Sequence, residues 1–348
     1  MKILVVLTGG TIGSSIISDV ADVDLSTADE LIKICEYSSD IELEISSPFN
    51  ILSENATTDT LSKLCSYMLS VNYSKYDGVI ITHGSDTLAY SCAILGMVLS
   101  WIECPVVVTA ADYVLSLPYS NGRENFKASV DFIRGFANGE HFNTGVFAVW
   151  KNSGELPSVH ISTRLEEADG YLDHFTSWGG VPFGEIKDNR FVRIDSRINP
   201  PFTKCSKKLE WLKNNQLNLK NNVLLLHSYV GLDFNSINTH GKKAVLLKMY
   251  HSSTMCTGGN NNSFIEFIEK LVTADIDIYG FSGKRSAYFY ASSQKLLDKS
   301  INLLYNINVC SAYSKLLIAY AAPEARRNEI IGTNIFYESL PDRIISPE

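Results

Sequence analysis

Ile3-Leu-Val-Val-Leu7 runs directly into Thr8-Gly9-Gly10-Thr11-Ile12-Gly13, and this junction decides the fold. An apolar run without alternation suits a strand buried on both faces, as in a parallel sheet. Two adjacent glycines let the backbone turn sharply at the strand end and let a ligand approach closely. On its own the stretch also reads as a plain turn, with Thr8 and Thr11 satisfying local backbone groups. It contains neither GxGxxG nor GxxxxGK[ST], so a phosphate cradle is not expected.

Working outward, similar β-branched runs at 79–82, 106–109 and 145–150 alternate with amphipathic stretches around 27–38, 57–72, 86–101 and 122–137. Alternating strands and helices imply an α/β fold with a doubly wound sheet, whose ligands bind beyond the carboxyl ends of the strands. Residues 185–220 interrupt the pattern with Asp188-Asn-Arg190, Asn199-Pro-Pro201 and a lysine-rich stretch, and read as a connector with one short helix. Strands at 223–227, 244–249 and 276–281 and helices at 262–273, 292–304 and 311–321 then follow. The expected organisation is a larger N-terminal domain over 1–188, a linker over 189–220 and a smaller C-terminal α/β domain over 221–348. A chain of 348 residues suits two cores.

The second informative turn follows the strand Val79-Ile-Ile81 and reads Thr82-His83-Gly84-Ser85-Asp86-Thr87, just before an apolar helix. A helix N-terminus offers free N–H groups and the positive end of a dipole. Hydroxyls and a carboxylate there suit a small zwitterion or an oxyanion. Helix capping is the plainer reading, since Ser, Thr and Asp are the usual N-cap residues. One such residue caps a helix; Thr82, Ser85, Asp86 and Thr87 together exceed that need.

Bulk properties narrow the function. The chain is 45% hydrophobic and 20% charged with a net charge of −8, the composition of a globular protein with no basic field, so nucleic acid is not an expected partner. Seven scattered cysteines form neither CxxC nor a Cys/His cluster, which argues against a disulfide framework or a structural metal. The N-terminal run is too short for a secretory signal and no run is long enough to span a membrane. A cytoplasmic protein with no membrane partner, no metal and no cofactor is expected.

The motifs TGGTIG and THGSDT, in this order and near this separation, resemble those of the bacterial-type L-asparaginases, also called asparaginase/glutaminases. The two-domain layout resembles that family over nearly the whole chain, and Asp77-Gly78 also fits it. The resemblance implies an amidohydrolase acting on the side-chain amide of asparagine or a related substrate. Thr11 would be the nucleophile. Ser85 stands where the family usually has a second threonine that activates the attacking group or water. Asp86 would hold the α-ammonium, and Ser53 in Ile51-Leu-Ser-Glu-Asn55 the α-carboxylate. Main-chain N–H groups around Gly10 and Thr11 would stabilise the oxyanion, with Gly84 also contributing to the substrate pocket. His83 would fix its turn. The family's C-terminal domains pair against a neighbour's site, which implies a homodimer or homotetramer and allows the aromatics Tyr279, Phe281, Tyr288, Phe289 and Tyr290 an intersubunit role beside that of a buried strand.

Three departures stand out. Arg164 falls at or next to the position of the family's catalytic lysine, and arginine keeps the charge but cannot serve as a base. Arg164 then acts as an electrostatic stabiliser with the base supplied by His160, Lys151 or water, or Lys151 itself reaches the site. Alternatively the chain is a weak or altered enzyme, an amino-acid binder, or a subunit of a larger complex that supplies ammonia to a partner. The segment Ser14 to Leu25 is short and lacks the lid tyrosine of the family, so either the lid works differently or the substrate differs from free asparagine, as a peptide-borne amide would. Asn121-Gly122 takes the place of an Asp-Gly pair, with Asn125 matching a family asparagine. Trp150, Phe175 and Trp178 read as core or interface, and both His160 and His174 as surface residues.

Overall fold

The computed structural model describes residues 1–10, 12, 14–17, 20–23, 31, 33–34, 40–206, 208–212, 216–258, 263–282 and 301–342. The chain folds as two compact units, residues 1–217 with 335–337 and residues 218–334 with 338–348.

The first unit is built on an eight-stranded sheet. Strand β1 (Lys2–Leu7) lies between β4 (Glu42–Ser46) and β5 (Gly78–Thr82), and β6 (Pro105–Thr109) and β7 (Gly145–Trp150) continue the same direction. The strands β5, β6 and β7 are buried throughout, as their unbroken apolar runs require. A two-stranded ribbon, β2 (Ser14–Ile17) and β3 (Val20–Val23), follows the first turn. The edge strand β4 is new relative to the sequence reading. Its Glu42 and Glu44 face solvent and pair with Lys2 at 2.9 and 3.1 Å, so its apolar character is halved.

Beyond β7 the sheet turns antiparallel through β8 (Ser158–Ile161), β9 (Gly184–Lys187) and β10 (Arg190–Arg193). The expected connector is therefore partly sheet. Asp188 and Asn189, read as a break, are the two-residue turn between β9 and β10, with φ of 49° and 61°. Short polar side chains tolerate that left-handed geometry, which matches the twist of a hairpin.

Helices α1 (Thr58–Ser70), α2 (Leu88–Val98) and α3 (Gly122–Ala137) flank this sheet. In α1 the Thr57 hydroxyl accepts from Thr60 N and the Thr60 hydroxyl from Thr57 N, each at 3.3 Å, closing the helix start. Phe126, Phe132 and Ile133 of α3 pack on Ile3, Val5, Ile80, Val107 and Phe147. Phe336 joins this core from far along the chain, and a Cβ on Gly145 would stand 2.4 Å from its ring. The helix expected over 27–38 lies largely outside the described residues.

The second unit is a four-stranded parallel sheet in sequence order, β11 (Val223–His227), β12 (Ala244–Lys248), β13 (Asp277–Ser282) and β14 (Asn302–Tyr305), with helices α4 (Phe264–Thr273), α5 (Val309–Ala321) and α6 (Glu324–Gly332). Residues 302–305 are thus strand where a helix over 292–304 was expected; a short apolar run fits either state until its neighbours are known. Residues 283–300 lie outside the described residues, and with them Tyr288, Phe289 and Tyr290. Tyr279 and Phe281 are buried on β13. Among the described residues no disulfide joins cysteines, and no helix is long and apolar enough to cross a membrane.

Candidate functional site

Three chain segments meet at the carboxyl ends of β1 and β5. Thr8 continues β1 and donates its hydroxyl to Thr82 O at 2.7 Å, while its own carbonyl accepts Ile51 N at 3.1 Å. The chain then turns through Gly9 and Gly10, with φ of +103° and +78°. A Cβ on Gly9 would stand 2.4 Å from Ile51 O, and one on Gly10 2.3 Å from Gly84 N. A Cβ on Gly84 would lie 2.4 Å from Ser53 Oγ. Only glycine fits at positions 9 and 10, where a left-handed backbone meets neighbouring main chain this closely; at Gly84 the near group is the Ser53 side chain.

Ser53, nearly fully buried in the 3-10 turn Ser53–Asn55, donates its hydroxyl to Asp86 Oδ2 at 3.1 Å. Its carbonyl accepts the Thr87 hydroxyl at 3.1 Å. Capping therefore does not account for the second motif: Thr87 stands at the N-cap of α2 but turns its hydroxyl away from the helix amides. Leu88 N, the first amide of α2, donates to Ser85 O at 3.2 Å. Asp86 is exposed, and its Oδ1 has no partner among the described residues. Ser85 beside it is half-buried.

His83 serves the turn. Its N donates to Thr109 O at 2.9 Å, its ring Nδ1 lies 2.8 Å from Gly84 O, and burial lowers its pKa. A carbonyl only accepts, so Nδ1 carries the proton. The Thr82 hydroxyl is buried without a partner among the described residues.

Of the expected site residues, Gly10, Ser53, Gly84, Ser85 and Asp86 thus come together. Thr11 lies outside the described residues. Arg164 is held elsewhere: its Nε donates to Tyr337 O at 2.6 Å and Nη1 to Ile198 O at 2.8 Å, and it is only 4% exposed. Its 3-10 turn, Ser162–Arg164, packs on Gly96, where a Cβ would stand 2.3 Å from Ser162 Oγ. Gly96 lies about 12 Å along α2 from its motif-bearing end. The guanidinium saturates backbone carbonyls of this first unit, which corrects its expected place beside the motifs.

The two other base candidates are also engaged. Lys151 Nζ lies 2.7 Å from both oxygens of Glu124. His160 is buried on β8 with Nδ1 2.7 Å from Ser177 Oγ, and burial pushes its pKa down to about 4. Trp150 and Phe175 are core, with ring centroids 4.8 Å apart.

Sequence reading did not assign the side chains that brace this edge. Asn125 accepts Lys151 N at 2.7 Å and donates to Ala110 O at 2.9 Å, tying the ends of β6 and β7 together. Asp112 and Asn121 exchange backbone-to-side-chain bonds of 3.0 and 2.9 Å. The Asn-Gly pair at 121–122 was the available signal, but its partner Asp112 carries none.

The sequence model of the family described as "Asparaginase, N-terminal" matches residues 2–197. Similar proteins include a glutamyl-tRNA(Gln) amidotransferase subunit from Methanosphaera stadtmanae, 25% identical over 340 residues that cover 94% of this chain and 74% of that protein. Its namesake from Saccharolobus solfataricus is 23% identical, over 98% of this chain and 76% of its own. In fold, the thermostable L-asparaginase from Thermococcus kodakarensis superposes with a TM-score of 0.77 at 18% identity, over 98% of this chain and 100% of its own. L-asparaginase I from Vibrio cholerae gives 0.74 at 18% identity, over 97% and 98%.

Proposed function

Because the chain belongs to the asparaginase family, we propose that it hydrolyses the side-chain amide of asparagine, free or borne on a larger molecule, and releases ammonia. The observation that carries this reading is the bond from Ser53 to Asp86 at 3.1 Å, which leaves Asp86 Oδ1, beside a helix N-terminus, without a partner among the described residues. An α-ammonium fits that oxygen, and with Asp86 neutralised by it the single Ser53 hydroxyl proton can turn from Asp86 to the acceptor on the opposite side of the α-carbon. With the α-carbon fixed on both sides, the amide carbon is presented to Thr11.

In this mechanism the Thr11 oxygen bonds to the amide carbon and its proton passes to the departing nitrogen. The C–N bond breaks and ammonia leaves; water then releases the acyl group. Backbone N–H groups at Gly10 and Thr11 stabilise the oxyanion of both steps. With Lys151 paired to Glu124 and Arg164 bound to two carbonyls, the proton relay falls to water beside Ser85. Cys65, Cys92, Cys104 and Cys310 are buried as free thiols, which suits a reducing, cytoplasmic setting.

A second reading, in which the ammonia is passed to a partner enzyme, is favoured by the relatives named as amidotransferase subunits. Ammonia release from L-asparagine, L-glutamine and asparaginyl peptides, with Thr11→Ala as control, tests the first reading. Thr11-dependent ammonia from the isolated chain supports hydrolysis. No ammonia from any of them, while asparagine still raises the melting temperature, leaves a binding or donor subunit.

A further inference from the structure

Near its end the chain changes unit twice. It leaves the second unit after Asn334, lends Ile335–Tyr337 to the first, and returns to the second at Glu338. The lent residues are tightly held in the first unit. Phe336 lies in the apolar core with its ring edge-on to Phe147, centroids 6.4 Å apart. Its carbonyl accepts the Thr163 hydroxyl at 2.6 Å, and that of Tyr337 accepts Arg164 Nε at 2.6 Å. The Tyr337 hydroxyl accepts Lys204 N at 3.3 Å. Tyr337 has φ of 60°, a left-handed geometry that a bulky residue keeps only where its surroundings impose it.

In the second unit, both ends of this excursion meet on one side chain. Lys315 of α5 is 3% exposed, and its ammonium donates to Thr333 O, to Ile331 O at 3.3 Å and to Glu338 Oε1 at 2.7 Å. Thr333 stands before the excursion and Glu338 ends it, so a single cation ties the two ends together. A lysine ammonium has three donors, and all of them are used here. The Glu338 side chain is wholly buried, so losing the lysine leaves a carboxylate without its cation, which is far more disruptive than breaking a surface pair. Asn334 adds an exposed second tie, its side chain accepting Ser339 N at 3.3 Å and donating to Ser339 O at 3.4 Å.

The tip of the excursion also meets the helix that follows the second motif. A Cβ on Gly96 of α2 would stand 2.3 Å from Ser162 Oγ and 3.4 Å from the Phe336 ring. Phe336 and the turn Ser162–Arg164, which holds it by two hydrogen bonds, thus pack on one point of α2.

We propose that residues 334–339 are a strap. The Lys315 clamp in the second unit keeps Phe336 seated in the first, and Phe336 keeps α2 and the turn Ser162–Arg164 in place. The strap acts on the fold and is independent of the reaction carried out at the motifs.

Amide hydrogen exchange on the full chain tests this with three variants. Lys315→Met opens the clamp, and Phe336→Ala removes the tip. Phe267→Ala instead weakens a core cluster of the second unit that takes no residue from α5. All four tryptophans, Trp101, Trp150, Trp178 and Trp211, lie in the first unit, so their emission shows whether it is folded. At a temperature where it is, Lys315→Met should speed exchange about tenfold over residues 92–98 and 162–165, as Phe336→Ala does from the tip. Phe267→Ala should leave both segments at the wild-type rate. Wild-type exchange in Lys315→Met overturns the strap. So does equal acceleration in Phe267→Ala, which would make the general stability of the second unit the cause. If Lys315→Met does not fold, Asn334→Ala, which opens only the exposed tie, replaces it; a smaller acceleration of the same two segments upholds the strap, and none overturns it.

Discussion

The backbones of Gly10 and Gly84 approach so closely that a methyl on Gly10 would stand 2.3 Å from the Gly84 amide nitrogen. The two sequence motifs are thus one structure, and neither turn can move without the other. Gly10 also has φ of +78°, which side chains rarely adopt. Gly10→Ala combines a left-handed backbone with a collision against main chain, and should destabilise the protein by about 2–4 kcal/mol. Chemical denaturation reads this directly; a variant of wild-type stability would mean that the two turns separate easily.

The Ser53–Asp86 pair predicts a division of labour. Asp86→Asn keeps the shape but removes the charge that would meet an ammonium, and should raise KM about 10- to 100-fold. Ser53→Ala removes one neutral donor and should raise it about tenfold or less. Saturation kinetics of ammonia release distinguish the two. A larger effect from Ser53 than from Asp86 would argue against the ammonium site.

Arg164 should matter for stability rather than chemistry. Lysine cannot span both Tyr337 O and Ile198 O with a planar fork. Arg164→Lys should therefore cost about 2 kcal/mol in unfolding free energy while the folded enzyme keeps its kcat. A variant as stable as the wild type yet inactive would return Arg164 to the reaction.

His160 gives a pH signature. Burial holds its pKa at about 4, below its ordinary 6.5, so between those values the unfolded chain binds a proton that the folded chain refuses. The stabilisation is complete above pH 6.5 and is lost as the pH falls towards 4, amounting to about 3 kcal/mol. Melting temperatures of the wild type and His160→Gln, followed from pH 7 to 4, should diverge in slope by one proton. Parallel curves would mean that His160 is not buried as a neutral ring.

Several elements eluded sequence reading for identifiable reasons. Glu42 and Glu44 disguise β4, because an edge strand shows one face to water. Asp188-Asn189 reads as a break, and only the partner strand reveals a hairpin. The run around Leu303 fits helix or strand equally until β13 lies beside it. Asp112 gives no sign of its role before Asn121 folds back on it.

What the sequence determined by itself is local. Short β-branched apolar runs at 3–7, 79–82, 106–109 and 145–150, each bounded by turn residues, read as buried strands, and glycines or hydroxyls placed straight after them mark the functional edge. Both motifs, and with them Gly10, Ser85 and Asp86, were legible because turn chemistry is written in consecutive residues. Which distant groups share that edge is a matter of tertiary structure. Ser53 meets Asp86 across 33 positions and Arg164 meets Tyr337 across 173. A charge at the right spacing can satisfy a catalytic pattern on paper. Whether it faces substrate or saturates buried carbonyls depends on which backbones pack around it, and no local pattern encodes that.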